Sequence, residues 1–247
     1  MLESDTQPVL TARDLVAGYV PGIHILNGMS VDVFAGEVRC VLGPNGTGKS
    51  TLLKVLYGFL PTLSGEMRLG AASLHNVAPH RMGALGITYL PQRPSLFPYL
   101  SVEVNLRLGT WSFRRNRALV RQRIERAYAQ FPVLSDRRRQ VAGTLSGGQQ
   151  RQLEIARALL ADPKVMLIDE PTASIEPRIA AQIYALIDGL ARDERKAILL
   201  VDQNVTGALG IADYVYVMRT GSLLEEGRRG DFSGDVETLV SRWLYTR

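Results

Sequence analysis

The chain has 247 residues, a net charge of +5, 46% hydrophobic residues and a single cysteine. That length suits one large α/β domain, or such a domain carrying an inserted subdomain, and the apolar share is ample for a core. The charge is too small to argue for nucleic acid, the lone Cys40 excludes an internal disulfide, and no apolar run approaches the ~18–20 residues that span a bilayer. The opening Met1-Leu2-Glu3-Ser4-Asp5 lacks the basic-then-apolar pattern of an export signal, so a soluble, cytoplasmic chain is expected.

Residues 9–42 alternate in hydropathy. Leu10, Ala12, Leu15 and Ala17 come first, and Ile25 to Val33 follow a Pro21-Gly22 turn, which predicts short strands of an antiparallel edge sheet. Tyr19, just before that turn, has two readings: an aromatic that stacks on a purine, or a half-buried strand tyrosine. The run Val38 to Leu42 reads as a buried strand, with Cys40 as a packed core thiol. Gly43-Pro44-Asn45-Gly46-Thr47-Gly48-Lys49-Ser50-Thr51 follows it and matches G-x-x-x-x-G-K-[ST]. Leu52, Leu53, Val55, Leu56 and Phe59 then give a helix an apolar face. Strand, glycine-rich turn and helix in that order make a phosphate cradle. Backbone N–H groups turn inward around an anion, Lys49 reaches the outer phosphates, and the Ser50 hydroxyl can ligate Mg²⁺. The stretch implies a nucleoside triphosphate site.

Gly58 and Pro61 stop that helix, and Ser64-Gly65 is expected to turn into a strand over Glu66–Gly70. His24, His75 and His80 have no metal-ligand spacing and read as surface or packing residues. Gly86–Leu90 is a further strand, which places Gln92 at a carboxyl end, where α/β sheets make ligand contacts. Residues 93–145 are rich in arginine (Arg107, Arg114, Arg115, Arg117, Arg121, Arg123, Arg126 and Arg137 to Arg139), with helical spacing over Ser101–Leu108 and Ala118–Phe131. This reads as an inserted helical subdomain. Its arginines suit a solvated face, or one toward acidic loops or headgroups, rather than a DNA-reading surface, because no groove-entering motif accompanies them.

Leu145-Ser146-Gly147-Gly148-Gln149 opens a helix that runs through Leu160, with Ser146 and Gln149 spaced as a capping box. Two glycines in a first turn are costly; they are expected where the backbone approaches an anion closely. Val165–Glu170 is an apolar run that ends in Asp169 and Glu170, as a central parallel strand with a functional carboxyl end would. Though about 120 residues from Lys49, it can lie beside it in a doubly wound sheet. Asp169 can then hold hydrated Mg²⁺, and Glu170 can polarise a water for in-line attack. Ala197–Val201 is another buried strand, ending in Asp202-Gln203-Asn204, and Tyr214–Met218 with Ser222–Leu224 forms a closing pair. Val236–Arg247 has helical spacing.

Taken together, the phosphate loop, Gln92 after a strand, LSGGQ at 145–149 and MLIDE at 166–170 resemble the nucleotide-binding subunits of ABC transporters. Ala17-Gly18-Tyr19, the run Gly147 to Leu159 and Leu199-Leu200-Val201-Asp202-Gln203-Asn204-Val205 bring the resemblance nearest to the ATP-binding subunit of branched-chain amino acid importers. The resemblance implies an α/β P-loop NTPase core with an antiparallel β edge subdomain and an inserted α-helical subdomain. It implies one domain over 9–227, with the helical part at about 93–160 and a helical tail at 228–247. Tyr19 would stack on adenine, and Gly43 to Thr51 would wrap the phosphates. Ser50, Gln92 and Asp169 would serve Mg²⁺, with Glu170 as base and Gln203 beside it. Ser146, Gly147, Gly148 and Gln149 would reach the ATP of a second ATPase subunit, identical or different, in a head-to-tail dimer. Pro94 to Leu100 would receive a helix from an integral-membrane permease, with a solute-binding protein engaged indirectly and no nucleic acid. The complex would sit peripherally on the cytoplasmic face of the inner membrane.

Two departures stand out. Gln203 occupies a place where many of these ATPases carry histidine; glutamine donates a hydrogen bond but cannot become a cation. Glu176 stands where the related pattern usually ends in Asp. Cargo is not written in this chain, so the same engine for urea, a short amide or lipid export is an alternative. A DNA or ribosome ATPase fits poorly with so short an insert, and a generic P-loop kinase leaves LSGGQ unexplained.

Overall fold

The computed structural model describes residues 7–232 and 236–245; the opening Met1–Asp5 and the final Thr246–Arg247 of the predicted tail lie outside them. The strands are β1 (Leu10–Ala17), β2 (Leu26–Val33), β3 (Val38–Leu42), β4 (Ser64–Leu69), β5 (Ala72–Ser73), β6 (Ile87–Leu90), β7 (Val165–Asp169), β8 (Ala197–Val201), β9 (Tyr214–Arg219) and β10 (Ser222–Arg228). The helices are α1 (Lys49–Leu56), α2 (Pro79–Met82), α3 (Val102–Gly109), α4 (Arg117–Gln130), α5 (Pro132–Asp136), α6 (Gly147–Leu159), α7 (Pro177–Arg192), α8 (Val205–Ile211) and α9 (Val236–Tyr245).

Every residue of β7 and β8 is buried, which is why both read as unbroken apolar runs. They lie in a six-stranded sheet of order β10-β9-β3-β8-β7-β6, parallel except for the β9–β10 hairpin. In register, Val41 faces Val201 and Val201 faces Asp169, so β3, β8 and β7 end level with one another. That level end carries the phosphate loop, Asp169-Glu170 and Asp202-Gln203. Alternate strand residues feed two cores: Cys40 packs on the face covered by α6 and α7, while Val41 packs toward β1, β2 and α1. Cys40 is buried, as expected of a core thiol.

The smaller sheet, β2-β1-β4-β5, is antiparallel throughout. Here one local expectation fails. Ser64 and Gly65 do not form a turn but belong to β4, at a register shift opposite Arg13 and Val16. Gly65 has φ of 92°, and a Cβ there would stand 2.5 Å from the Arg13 carbonyl oxygen. The glycine marks a bulge pressed against the neighbouring strand. The predicted helices over 101–108 and 118–131 appear as α3 and α4, capped by Ser101 and Asn116 side chains. α7 and α8 had no counterpart in the expectations.

Asp162, in the turn between α6 and β7, ties the helical segment to the core sheet. It accepts from Arg123 of α4 at 3.0 Å and from Lys196, just before β8, at 2.6 Å. The Lys196 and Arg123 hydrogen bonds lower its pKa from 3.8 to about 2, against an opposing effect of burial. A depressed carboxylate stabilises the fold above its unfolded-state pKa and loses that contribution as the pH falls through the folded value. Asp162→Asn is therefore expected to lower the thermal midpoint near neutrality, with the gap to wild type closing between about pH 5 and pH 2. A gap that stays constant down to pH 2 would contradict this.

Candidate functional site

The phosphate loop turns because its glycines let it. Gly43 adopts φ of 148°, and a Cβ on it would meet the Met218 carbonyl oxygen of β9 at 2.3 Å. Only a bare Cα passes there. Gly48, at φ of 100°, is the N-cap of α1, so the first free N–H groups of that helix open into the loop. Lys49 is only 4% exposed, and its Nζ donates to the Gly43 and Pro44 carbonyls at 2.8 and 2.9 Å. Burial lowers its pKa while Glu170, Asp169 and Asp202 raise it. An ammonium held on its own loop carbonyls, inside a ring of carboxylates, is placed to exchange those carbonyls for phosphate oxygens.

Opposite the loop stand the two acids. Ser50 Oγ donates to Asp169 Oδ1 at 2.9 Å and the Tyr89 hydroxyl to Oδ2 at 3.1 Å. Hydroxyl and carboxylate side by side make a hard oxygen donor set of the kind Mg²⁺ takes. Glu170 sits in the left-handed region at φ of 42°, just past the end of β7. Its Oε2 accepts from Gln92 Nε2 at 2.6 Å and from Gln203 Nε2 at 3.1 Å. Burial raises the Glu170 pKa; Lys49 opposes that, and Asp169 and Asp202 add to it. Tyr19, Asn45, Gly46, Gly48, Lys49, Ser50, Thr51, Gln92, Glu170 and Gln203 all line one open cleft of about 450 Å³. Tyr19 lies beyond the end of β1 and is 56% exposed at the cleft rim, its hydroxyl 3.4 Å from Thr51 Oγ1. It is not a half-buried strand residue.

Several residues that hold the site in place were not singled out from sequence. Asp202, 2% exposed, accepts the backbone N–H groups of Gln203 and Asn204 at 2.8 and 2.9 Å and the Tyr184 hydroxyl at 2.8 Å. Tyr184 also meets Thr172 Oγ1 at 2.9 Å, which links the Gln203 turn to the turn after Glu170. Arg151 and Glu154 of α6 form a buried pair; Arg151 donates to the Pro91 and Gln92 carbonyls, and Glu154 accepts from Ser95. The Gln92 loop is thereby latched to the helix that Ser146 starts. The signal was present in the charges at i and i+3 on an apolar helix face, a position that demands a partner.

At the start of α6 the capping box forms as expected: Ser146 Oγ accepts the Gln149 N–H and Gln149 Oε1 accepts the Ser146 N–H. None of Ser146, Gly147, Gly148 or Gln149 lines the cleft of its own chain. A Cβ on Gly148 would lie 2.3 Å from Cγ2 of Ile179 in α7, so its bare Cα is required by packing within the chain, whereas Gly147 faces open space. Gly148→Ala is therefore expected to destabilise the fold by about 1–3 kcal/mol in chemical denaturation. Paired with Ile179→Ala, it should show a favourable coupling of about 1 kcal/mol or more; strict additivity would contradict the contact.

Comparison with known proteins agrees with this geometry. Residues 26–173 match the ABC transporter family. The chain is 39% identical over 219 residues to a protein of Archaeoglobus fulgidus described as a probable branched-chain amino acid transport ATP-binding protein, LivF, covering 89% of this chain and 92% of that one. It is 36% identical to the high-affinity branched-chain amino acid transport ATP-binding protein BraG of Pseudomonas aeruginosa, over 85% of this chain and 89% of that one. It is also 34% identical to the lipopolysaccharide export system ATP-binding protein LptB of Escherichia coli K12, over 88% and 90%. Among solved structures, the ADP conformation of the ATP-binding cassette MJ1267 superposes with a TM-score of 0.82 at 29% identity, covering 96% of each chain. A loop and strand ends arranged for a nucleoside triphosphate, on a fold and sequence shared with these cassettes, make this chain an ATPase subunit of the ABC transporter family.

Proposed function

We propose that this chain powers an importer of branched-chain or related amino acids, working with a second ATPase subunit in a head-to-tail dimer on the cytoplasmic face of the inner membrane. The observation that carries the dimer is the position of the α6 cap. Its Ser146 and Gly147 are exposed and lie outside the cleft of their own chain, so the free N–H of Gly147, beside the Ser146 hydroxyl, is offered to another molecule. Each complete site then takes its phosphate loop from one chain and its cap from another. The importer reading is supported by the LivF and BraG relatives, and the match to LptB keeps lipid export as the second reading.

In the proposed reaction ATP lies with its adenine on Tyr19 and its phosphates in the loop from Gly43 to Thr51. Ser50, Asp169 and Gln92 would hold Mg²⁺, which would neutralise charge developing on the phosphates. Lys49 gives up its carbonyl partners for the outer phosphates. Glu170 accepts a proton from the attacking water, and Gln92 and Gln203, which already donate to its carboxylate, orient that water. Gln203 stays neutral, so the rate carries no histidine titration. A Glu170 pKa raised by burial moves the loss of activity on the acid side to higher pH than an ordinary glutamate would give. The segment Pro94 to Leu100 carries Phe97 and Tyr99, the latter 91% exposed, and serves as the permease contact. Among the described residues no helix is long and apolar enough to cross a membrane, so the pathway for cargo belongs to that partner. The unit proposed spans 9–227, with the helical part near 93–160 and the tail from 228.

Glu170→Gln is expected to lower ATP hydrolysis by about 10²-fold or more while ATP binding is retained, and an ATP-dependent dimer should accumulate in size-exclusion chromatography. Unimpaired turnover would remove Glu170 from the role of base. Affinity purification of the chain from its own membranes should bring down a permease and an amino-acid-binding protein; recovery of a lipid-export permease instead would overturn the import reading.

A further inference from the structure

The arginines of the helical segment have no part in the reaction above. The fold gathers five of them in the wall of a cavity of about 480 Å³: Arg107 of α3, Arg114 in the connection before α4, Arg117 and Arg121 of α4, and Arg138 after α5. Two carboxylates, Glu103 and Glu125, share that wall with the five guanidinium groups. Arg107 is engaged by Glu103 at 2.8 Å and Arg114 lies 4.2 Å over the Trp111 ring. Arg117 and Arg121 are exposed and make no ion pair among the described residues. The cavity shares no lining residue with the nucleotide cleft.

A second observation comes from Tyr128, which forms part of the same wall and lies under the Arg138 guanidinium, 5.6 Å from its ring centre. Tyr128 is 8% exposed, and its hydroxyl has no hydrogen-bond partner among the described residues. A buried hydroxyl without a partner is costly, and this one is free both to donate and to accept. A ligand oxygen in the cavity would give that hydroxyl an acceptor, and on the wall around it guanidinium groups outnumber carboxylates five to two.

We propose that this cavity binds a phosphoryl-bearing anion, with Arg117 and Arg121 as its forked donors and Tyr128 giving a hydrogen bond to one of its oxygens. A phosphoryl group offers several oxygens and more than one charge, which matches convergent guanidinium groups better than a carboxylate does. The volume leaves room for more than one such group. A soluble oligophosphate and an anionic lipid headgroup share this chemistry, and α3 starts directly after the segment assigned to the membrane partner.

The test uses the full chain at about 150 mM salt, where loose surface pairing is screened. Inorganic tripolyphosphate is titrated calorimetrically into Lys49→Ala, in which the phosphate loop is disabled; vesicles of phosphatidylglycerol or phosphatidylcholine are sedimented with the wild type. Binding in either arm that falls at least tenfold in Arg117→Ala/Arg121→Ala, and severalfold in Tyr128→Phe, supports the site, and the arm in which it appears identifies the source. Thermal melts of the variants matching their parent keep a folding defect from imitating that result. No binding in either arm overturns the proposal. So does binding that the arginine pair leaves unchanged, or that the arginine pair weakens while Tyr128→Phe does not, since that describes a diffuse positive surface. Retained binding of a fluorescent ATP analogue by the arginine variant separates this site from the nucleotide site.

Discussion

The structure turns on one hydrogen bond, from Ser50 to Asp169 across 119 residues of sequence. It forms because β3, β8 and β7 are parallel neighbours that end at the same level, which brings the first turn of α1 to the end of β7. Parallel strands require crossovers, and both faces of such a sheet must be covered; the chain covers one with α6 and α7 and the other with α1 and the small antiparallel sheet. Burial on both faces excludes water from behind the strands. Their carboxyl ends form a rim where polar groups collect, and there Lys49, Asp169, Glu170 and Asp202 accumulate at close range.

Gathering one ammonium and three carboxylates in a partly desolvated rim sets the protonation states in tension. Burial pushes all three carboxyl groups up and Lys49 down; Lys49 and the acids offset one another's shifts, while Asp169 and Asp202 add to the rise on Glu170. Hydrogen bonds satisfy each carboxylate in turn: Ser50 and Tyr89 on Asp169, Gln92 and Gln203 on Glu170, Tyr184 and two backbone N–H groups on Asp202. The loops carrying Gln92 and Gln203 are braced from below, by Arg151–Glu154 and by Tyr184–Asp202. A shift in α6 or in the turn after Glu170 would therefore be felt at the amides on the Glu170 carboxylate, a route by which a partner at the permease contact proposed for Pro94 to Leu100 would reach that carboxylate.

Much of this was legible in the sequence, for a physical reason. A phosphate cradle needs glycines, a lysine and a hydroxyl at fixed offsets, and a buried strand that ends in acids cannot hide its pattern. Hence Gly43 to Thr51, Asp169-Glu170 and the Ser146–Gln149 cap fell where they were expected. The features that escaped depend on neighbours distant in sequence. Gly65 looks like a turn until β1 is set beside it, and the packing of Gly148 against Ile179 leaves no trace in the local sequence. Tyr184 and Arg151 sit on helix faces whose partners, Asp202 and the Gln92 loop, no local period reveals. Tyr19, open between two readings in sequence, is placed by the end of β1 at the cleft rim.

The central claim is that a working site is shared between two chains, and complementation tests it most directly. Lys49→Ala chains and Ser146→Arg chains are each expected to be inactive alone. Mixed, they can form a dimer in which one site joins an intact phosphate loop from one chain to an intact cap from the other, so hydrolysis should reappear. A mixture as inactive as its components would contradict the account.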